Sequence, residues 1–307
     1  MAAPRTTEQF FNALEELPGE APDAAATQLV ERALCHRSNH VVARAAELVR
    51  RRAWRMFEGA LVEAFERALR GDLEDKGCAA KTALAETLHQ LEQGSDSLFR
   101  RGARHRQREP VFGGQEDTAA TLRSVCGMAL LRLNPWDLPL ELARLLADPE
   151  VRVRENAARA LAACGHPAAA PLLLHRALAG DPEPVVVGEC LRGLLVLDAE
   201  AHLETVAAFL EERFGPVPEL AALALGECRR PAAYVPLRRF FDRALSTEGR
   251  RCALLALGTL RTDEAFALLV EVGRDGGSAD ARSAREALTL SAADPAIAAL
   301  LETLPER

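Results

Sequence analysis

Apolar residues recur along this chain at helical spacing, and the pattern restarts every 31–33 residues over much of its length. The segment DPEVRVRENAARALAACG opens on a polar turn at Asp148. Ala157, Ala158, Ala160, Leu161 and Cys164 then follow at helical intervals. The same frame returns at Asp75/Lys81 with Leu84, Ala85 and Leu88, and at Asp117/Arg123 with Cys126, Gly127 and Leu130. With Arg154 as anchor, the equivalent positions are Arg44, Lys81, Arg123, Arg154, Val187, Pro218, Arg250 and Ala281. The steps between them are 37, 42, 31, 33, 31, 32 and 31 residues. A fixed period of this length predicts two-helix units that stack, because one unit cannot bury its apolar face alone. In the fourth unit the pattern places helices at about 137–147 and 151–164 around the turn Asp148-Pro149-Glu150. No alternation of period two is sustained, so essentially no strand is expected.

Turn chemistry agrees with this division. Proline suits a helix start, where its missing N–H needs no partner, and Gly165 suits a helix stop because it tolerates a left-handed conformation. Thr6 and Gln9 form a capping-box pattern that opens a short helix through Leu17, stopped by Pro18-Gly19. A last helix at about 294–303 carries Ile297, Leu300, Leu301 and Leu304 on one side. The expected organisation is an N-terminal cap at 1–23, a repeat region at 24–292 and a C-terminal cap at 293–307. An insertion at about 92–116 accounts for the 42-residue step.

Over about 24–292 the turn aspartates and second-helix cations at Asp75/Lys81, Asp117/Arg123 and Asp148/Arg154 resemble the HEAT-repeat superfamily. They are most similar to the short bacterial repeats of phycobilisome-lyase-like proteins. The resemblance implies an all-α fold, a HEAT-type α-solenoid of about eight antiparallel helix pairs with terminal capping helices. It also implies a ladder of charges between neighbouring repeats, incomplete where Val187, Pro218 and Ala281 replace the cation. In such proteins the second helices line a concave surface. Met128, Leu131, Arg159, Arg192, Leu195, Leu223 and Leu255 are then candidate contacts for a partner helix or peptide. The alternative is that curvature packs these helices closely and buries the same positions.

Composition narrows the function classes. At 49% apolar, 27% charged and only 5% aromatic, the chain suits helices joined through small side chains. The net charge is −7. Residues 1–134 carry 19 basic and 19 acidic side chains, and the remainder carries 19 and 26. A generally basic nucleic-acid binder is disfavoured. Seven cysteines without close pairing suggest buried reduced thiols in a reducing compartment. No apolar run reaches the length of a membrane span, so a cytoplasmic protein without membrane attachment is expected.

The candidate chemistry is concentrated in the insertion. Arg100, Arg101, Arg104, Arg106 and Arg108, with His105, fall within nine positions. On a helix, Arg100, Arg104 and Arg108 would share one face. With the tight loop expected at Pro110–Gly114, such a cluster suits an anionic partner, whether phosphate, nucleic acid or an acidic peptide. The competing reading is a set of salt bridges to Glu63, Glu66, Asp72 and other acids nearby. Arg50-Arg51-Arg52 reads as a solvated helix end. Cys35, His36 and His40 lack a fourth metal ligand, and neither Gly113-Gly114 nor Gly276-Gly277 belongs to a phosphate-loop motif. No metal, no cofactor and no catalytic set is expected. The expectation is a non-enzymatic scaffold or adaptor for another protein or peptide, possibly acidic. A nucleic-acid-binding HEAT-like module is the first alternative. A phycobilisome-lyase-like enzyme or chaperone-lyase is the second.

Overall fold

The computed structural model describes residues 6–17, 22–211 and 215–304. Among the described residues the fold is all-α apart from one hairpin, and the chain divides into two compact units at Ala160/Leu161.

The first unit opens with α1 (Thr7–Glu15). Thr6 accepts from Gln9 N, and the Gln9 side chain accepts from Thr6 N, both at 3.2 Å, which is the expected capping box. The helix ends at Glu15, two residues short of Leu17, and Pro18-Gly19 lies outside the described residues. Helix pairs follow: α2 (Ala24–Leu34) with α3 (Asn39–Arg52), and α4 (Glu58–Arg70) with α5 (Ala79–Gln90). Next come α6 (Asp96–Ala103) with α7 (Ala120–Leu133), and α8 (Leu138–Leu146) with α9 (Val151–Ala163), which carries the unit boundary. Second helices stack on one another, α3 on α5 and α5 on α7. They bury Leu84, Ala85, Leu88, Cys126 and Leu130, which the repeat frame marks as core, and also Ala45 and Val49 of α3, which an anchor at Arg44 does not mark.

The second unit repeats the arrangement. It holds α10 (Ala169–Ala179) with α11 (Pro184–Leu197), and α12 (Ala199–Ala208) with α13 (Val217–Glu227). It continues with α14 (Tyr234–Arg243) and α15 (Thr247–Leu260), then α16 (Asp263–Asp275) and α17 (Ser278–Thr289). The closing helix is α18 (Pro295–Glu302), which packs on α17. Here the second helices approach so closely that glycine is required. A Cβ on Gly226 would meet Ala256 Cα at 2.8 Å, and one on Gly258 would meet the Ala287 carbonyl oxygen at 2.6 Å. Val187, Pro218 and Ala281, which interrupt the cation pattern, are buried.

One expectation fails. Between α6 and α7 the chain forms a hairpin, β1 (Arg108–Val111) antiparallel to β2 (Gly114–Asp117), where essentially no strand was expected. Val111 pairs with Gly114, so Phe112 and Gly113 form a two-residue turn, and Gly113 takes the left-handed conformation at φ +87°. The hairpin is the insertion behind the 42-residue step. Four-residue strands span too few positions to register as an alternating pattern, and the paired glycines present only as a loop.

Candidate functional site

The arginine-rich segment does not form one helical face. Helix α6 ends at Ala103, Arg104 caps it, and Arg108 begins β1, so Arg108 is not on the surface shared by Arg100 and Arg104. Ser95 starts the helix by accepting from Leu98 N. Asp96 in the first turn sits one turn below Arg100 and accepts from its Nε at 2.6 Å.

Arg100 reaches forward to the next repeat. Its Nη2 donates to Asp137 Oδ1 at 2.5 Å, and its Nη1 donates to Glu141 Oε1 at 3.0 Å. Arg104 and Arg144 donate to the same Glu141 oxygen at 2.5 and 2.6 Å. Glu141 is only 2% exposed, so a nearly buried carboxylate is held by three guanidiniums. Three cations face three carboxylates (Asp96, Asp137 and Glu141), and the cluster is balanced. The hydrogen bonds from Arg100 hold the Asp137 carboxyl below its ordinary range. Arg101 lies 3.7 Å from Glu66.

Arg106 belongs to a second network. It donates to Asp148 Oδ2 at 2.7 Å and lies 3.7 Å from Asp117. Arg123, with no exposed surface, donates to both Asp148 oxygens and lies 2.9 Å from Asp117 Oδ2. It also donates to the His105 carbonyl. Burial works against charge on Asp117. Hydrogen bonds from Gln107 N, Ala119 N and Arg123 outweigh it and leave the carboxyl below its usual range. His105 is half-buried and depressed, first by burial, with its ring contact to Gln107 in opposition. Arg108 is exposed, and no ion pair engages it among the described residues.

These networks anchor the hairpin. Gln107 accepts from Lys81 Nζ at 2.8 Å and donates to the Asp75 carbonyl. Glu109 accepts from Gly77 N at 2.8 Å, and bonds from Gln107 and Gly77 hold its carboxyl low. The turn aspartates act as the repeat frame implies. Asp75 accepts from Ala80 N and Lys81 N and pairs with Lys81 Nζ at 3.3 Å. Asp75 also accepts from Asn39 of the preceding repeat. Asp148 links to Arg123 of the preceding repeat, and Arg154 donates to the Asp148 and Pro149 carbonyls. In the second unit Arg250 pairs with Asp280 at 2.5 Å across one repeat step. Sequence reasoning selected Asp148 but missed Asp137, Glu141 and Gln107. For Asp137 and Glu141 the signal is an offset of about one repeat from the arginines they meet, and Gln107 has no such signal.

A family model for HEAT repeats matches residues 115–195. Over those residues the chain is similar to HEAT repeats. No curated protein matches the sequence. Among solved structures, the complex of CpcE and CpcF of phycocyanin lyase from Nostoc sp. PCC7120 matches at 20% identity and a TM-score of 0.36, over 94% of this chain and 98% of that chain. An engineered protein matches at 17% identity and 0.39, over 95% and 87%. Human deoxyhypusine hydroxylase in complex with glycerol matches at 19% and 0.33, over 84% and 92%.

On the second helices of the pairs, the candidate contact positions differ among themselves. Met128 and Arg159 are exposed, Leu131, Arg192, Leu223 and Leu255 are half-buried, and Leu195 is buried. Several charged groups of this face pair with the adjacent repeat: Arg50 with Glu86, Arg192 with Glu227, and Arg251 with Glu286. Arg159 lies 3.7 Å from Glu155. Elsewhere, the His36 ring lies tilted against Phe10 with ring centroids 4.8 Å apart. Cys126 and Cys190 are buried, while Cys164 and Cys228 are half-buried. Among the described residues no group of three His, Cys, Asp or Glu is placed to hold a metal ion. No described helix is long and apolar enough to cross a membrane.

Proposed function

We propose that this HEAT-repeat chain is a non-enzymatic scaffold that binds another protein, with the hairpin of the third repeat as its principal contact. The observation that carries this reading is Phe112. It stands fully exposed at the hairpin tip, beside Val111 at 45% exposure. A free aromatic side chain at a tip contributes nothing to the packing of this chain. Burying it against a partner removes a large apolar area from water, and aromatic anchors of this kind dominate binding energies. The base of the hairpin is fixed by Arg106, Gln107 and Glu109, so little ordering is lost on binding.

The arginines favour a protein over a nucleic acid as partner. Arg100, Arg104 and Arg106 are engaged by Asp137, Glu141, Asp117 and Asp148, and a phosphate backbone would have to compete with those carboxylates. The test replaces Phe112 with a photo-crosslinking phenylalanine analogue and maps the crosslinked peptides. The expected result is one protein captured at this position, with roughly tenfold or greater loss of its affinity in Phe112→Asp. Unchanged affinity in that variant overturns the assignment of the hairpin.

A further inference from the structure

In the second unit a cavity of about 650 Å³ lies among α13, the end of α14 and the start of α15. Leu210, Pro218, Phe240 and Leu245 supply its apolar walls. Its ionisable lining groups are Glu211, Glu219 and Arg243. Arg243 donates to both oxygens of Glu211, at 2.7 Å for Nη2 to Oε1, so these two neutralise each other. Among the described residues Glu219 is left as the lining charge without a counter-ion, and its Oε2 is shielded from solvent with no hydrogen-bond partner. A carboxylate oxygen in that state carries a desolvation cost that nothing in the chain offsets.

The neighbouring donors are already used. Gly249 N donates to Ser246 Oγ at 2.9 Å, and Ser246 caps α15. The nearby Arg250 is turned away, paired with Asp280 and donating to the Phe241 carbonyl. Gly249 lies against the carboxylate: a Cβ there would meet Glu219 Oε1 at 3.5 Å, in ordinary contact, and Ser246 Oγ at 2.9 Å. At the mouth, Leu245 is fully exposed and has no packing partner of its own.

We infer that this cavity is a binding site for an organic cation on an alkyl stem, the side chain of an arginine or lysine presented by a bound peptide. The cation completes the bonding of Glu219 Oε2 in a partly desolvated place, where a charge-assisted bond is strong. The stem packs on Pro218, Phe240 and Leu245. An anion is repelled by Glu219, and a neutral alkyl group leaves its carboxylate unpaired. The site is remote in sequence from the hairpin and stands independently of that reading.

The probe is n-butylguanidinium chloride, titrated to about 10 mM by calorimetry and by amide chemical shifts at Ser246 and Gly249. Saturable binding is expected, with n-butanol and butyrate inert at the same concentration. Glu219→Gln should weaken it roughly tenfold, while Glu248→Gln, outside the cavity, leaves it unchanged. Glu219→Gln keeps the shape and removes only the charge, and its thermal unfolding confirms that it folds. Absence of saturable binding in the full chain overturns the proposal, as does equal binding by Glu219→Gln.

Discussion

Arg123 on α7 and Asp148 in the turn before α9 form a bidentate ion pair with no side-chain exposure on either partner, at 2.8 and 2.9 Å. It joins the third repeat to the fourth at the level of the hairpin base. A buried pair of this kind adds little over a well-packed apolar pair, but breaking it strands a charge. Arg123→Ala should therefore cost about 3–5 kcal/mol in urea unfolding. The double variant Arg123→Met with Asp148→Leu should recover only part of that loss, because Asp117 loses Arg123 and Arg106 loses Asp148. A cost for Arg123→Ala below about 1 kcal/mol is the value for an exposed pair and would contradict the burial.

The arginines of the insertion should separate into two classes. Arg100→Gln removes one of three donors from nearly buried Glu141 and should destabilise by about 1–2 kcal/mol. Arg108→Gln, on the exposed strand, should stay within about 0.5 kcal/mol. Equal effects from the two would argue against the assigned ion pairs.

Helix contact in the second unit should be intolerant of a methyl group. Gly226→Ala and Gly258→Ala each push a Cβ into the backbone of the next second helix and should cost about 1–3 kcal/mol or more. Gly277→Ala, with open space around it, is the control and should be close to neutral. Thermal unfolding of the three variants distinguishes overpacking from a general helix-propensity effect, which would favour alanine.

Mild acid should weaken the first unit through its histidines. His36, His89 and His105 all lie below the ordinary imidazole range, each through burial first. Arg37, Arg132 and Lys81 respectively add to the depression. A depressed pKa means that the unfolded chain takes up protons before the folded one does. The stability is present above the ordinary histidine pKa of about 6.5 and is lost as pH falls through the folded values. Unfolding free energy should decline between about pH 7 and pH 5, and the decline should shrink when the three are replaced by glutamine. His89 should contribute visibly, because its Nδ1 is buried without a partner.

The repeat period, the helix boundaries and the core are local matters, and the sequence alone determined them. Apolar spacing, the Thr6–Gln9 capping box and the turn aspartates act within a few residues, so each is legible where it stands. Helices α8 (Leu138–Leu146) and α9 (Val151–Ala163) lie within one residue of the limits read from the sequence, about 137–147 and 151–164. The hairpin was legible only as an excess of chain. The tertiary structure decided which groups meet across a repeat. Arg100 finds Asp137 and Glu141 about one repeat on, and Lys81 finds Gln107 as well as Asp75. Gly226 admits the backbone of Ala256. Nothing local distinguishes an arginine that will be neutralised from one that will face water, nor marks Glu219 as unpaired. Those outcomes depend on stacking geometry, because charge balance is settled by distances between side chains that only neighbouring repeats bring together.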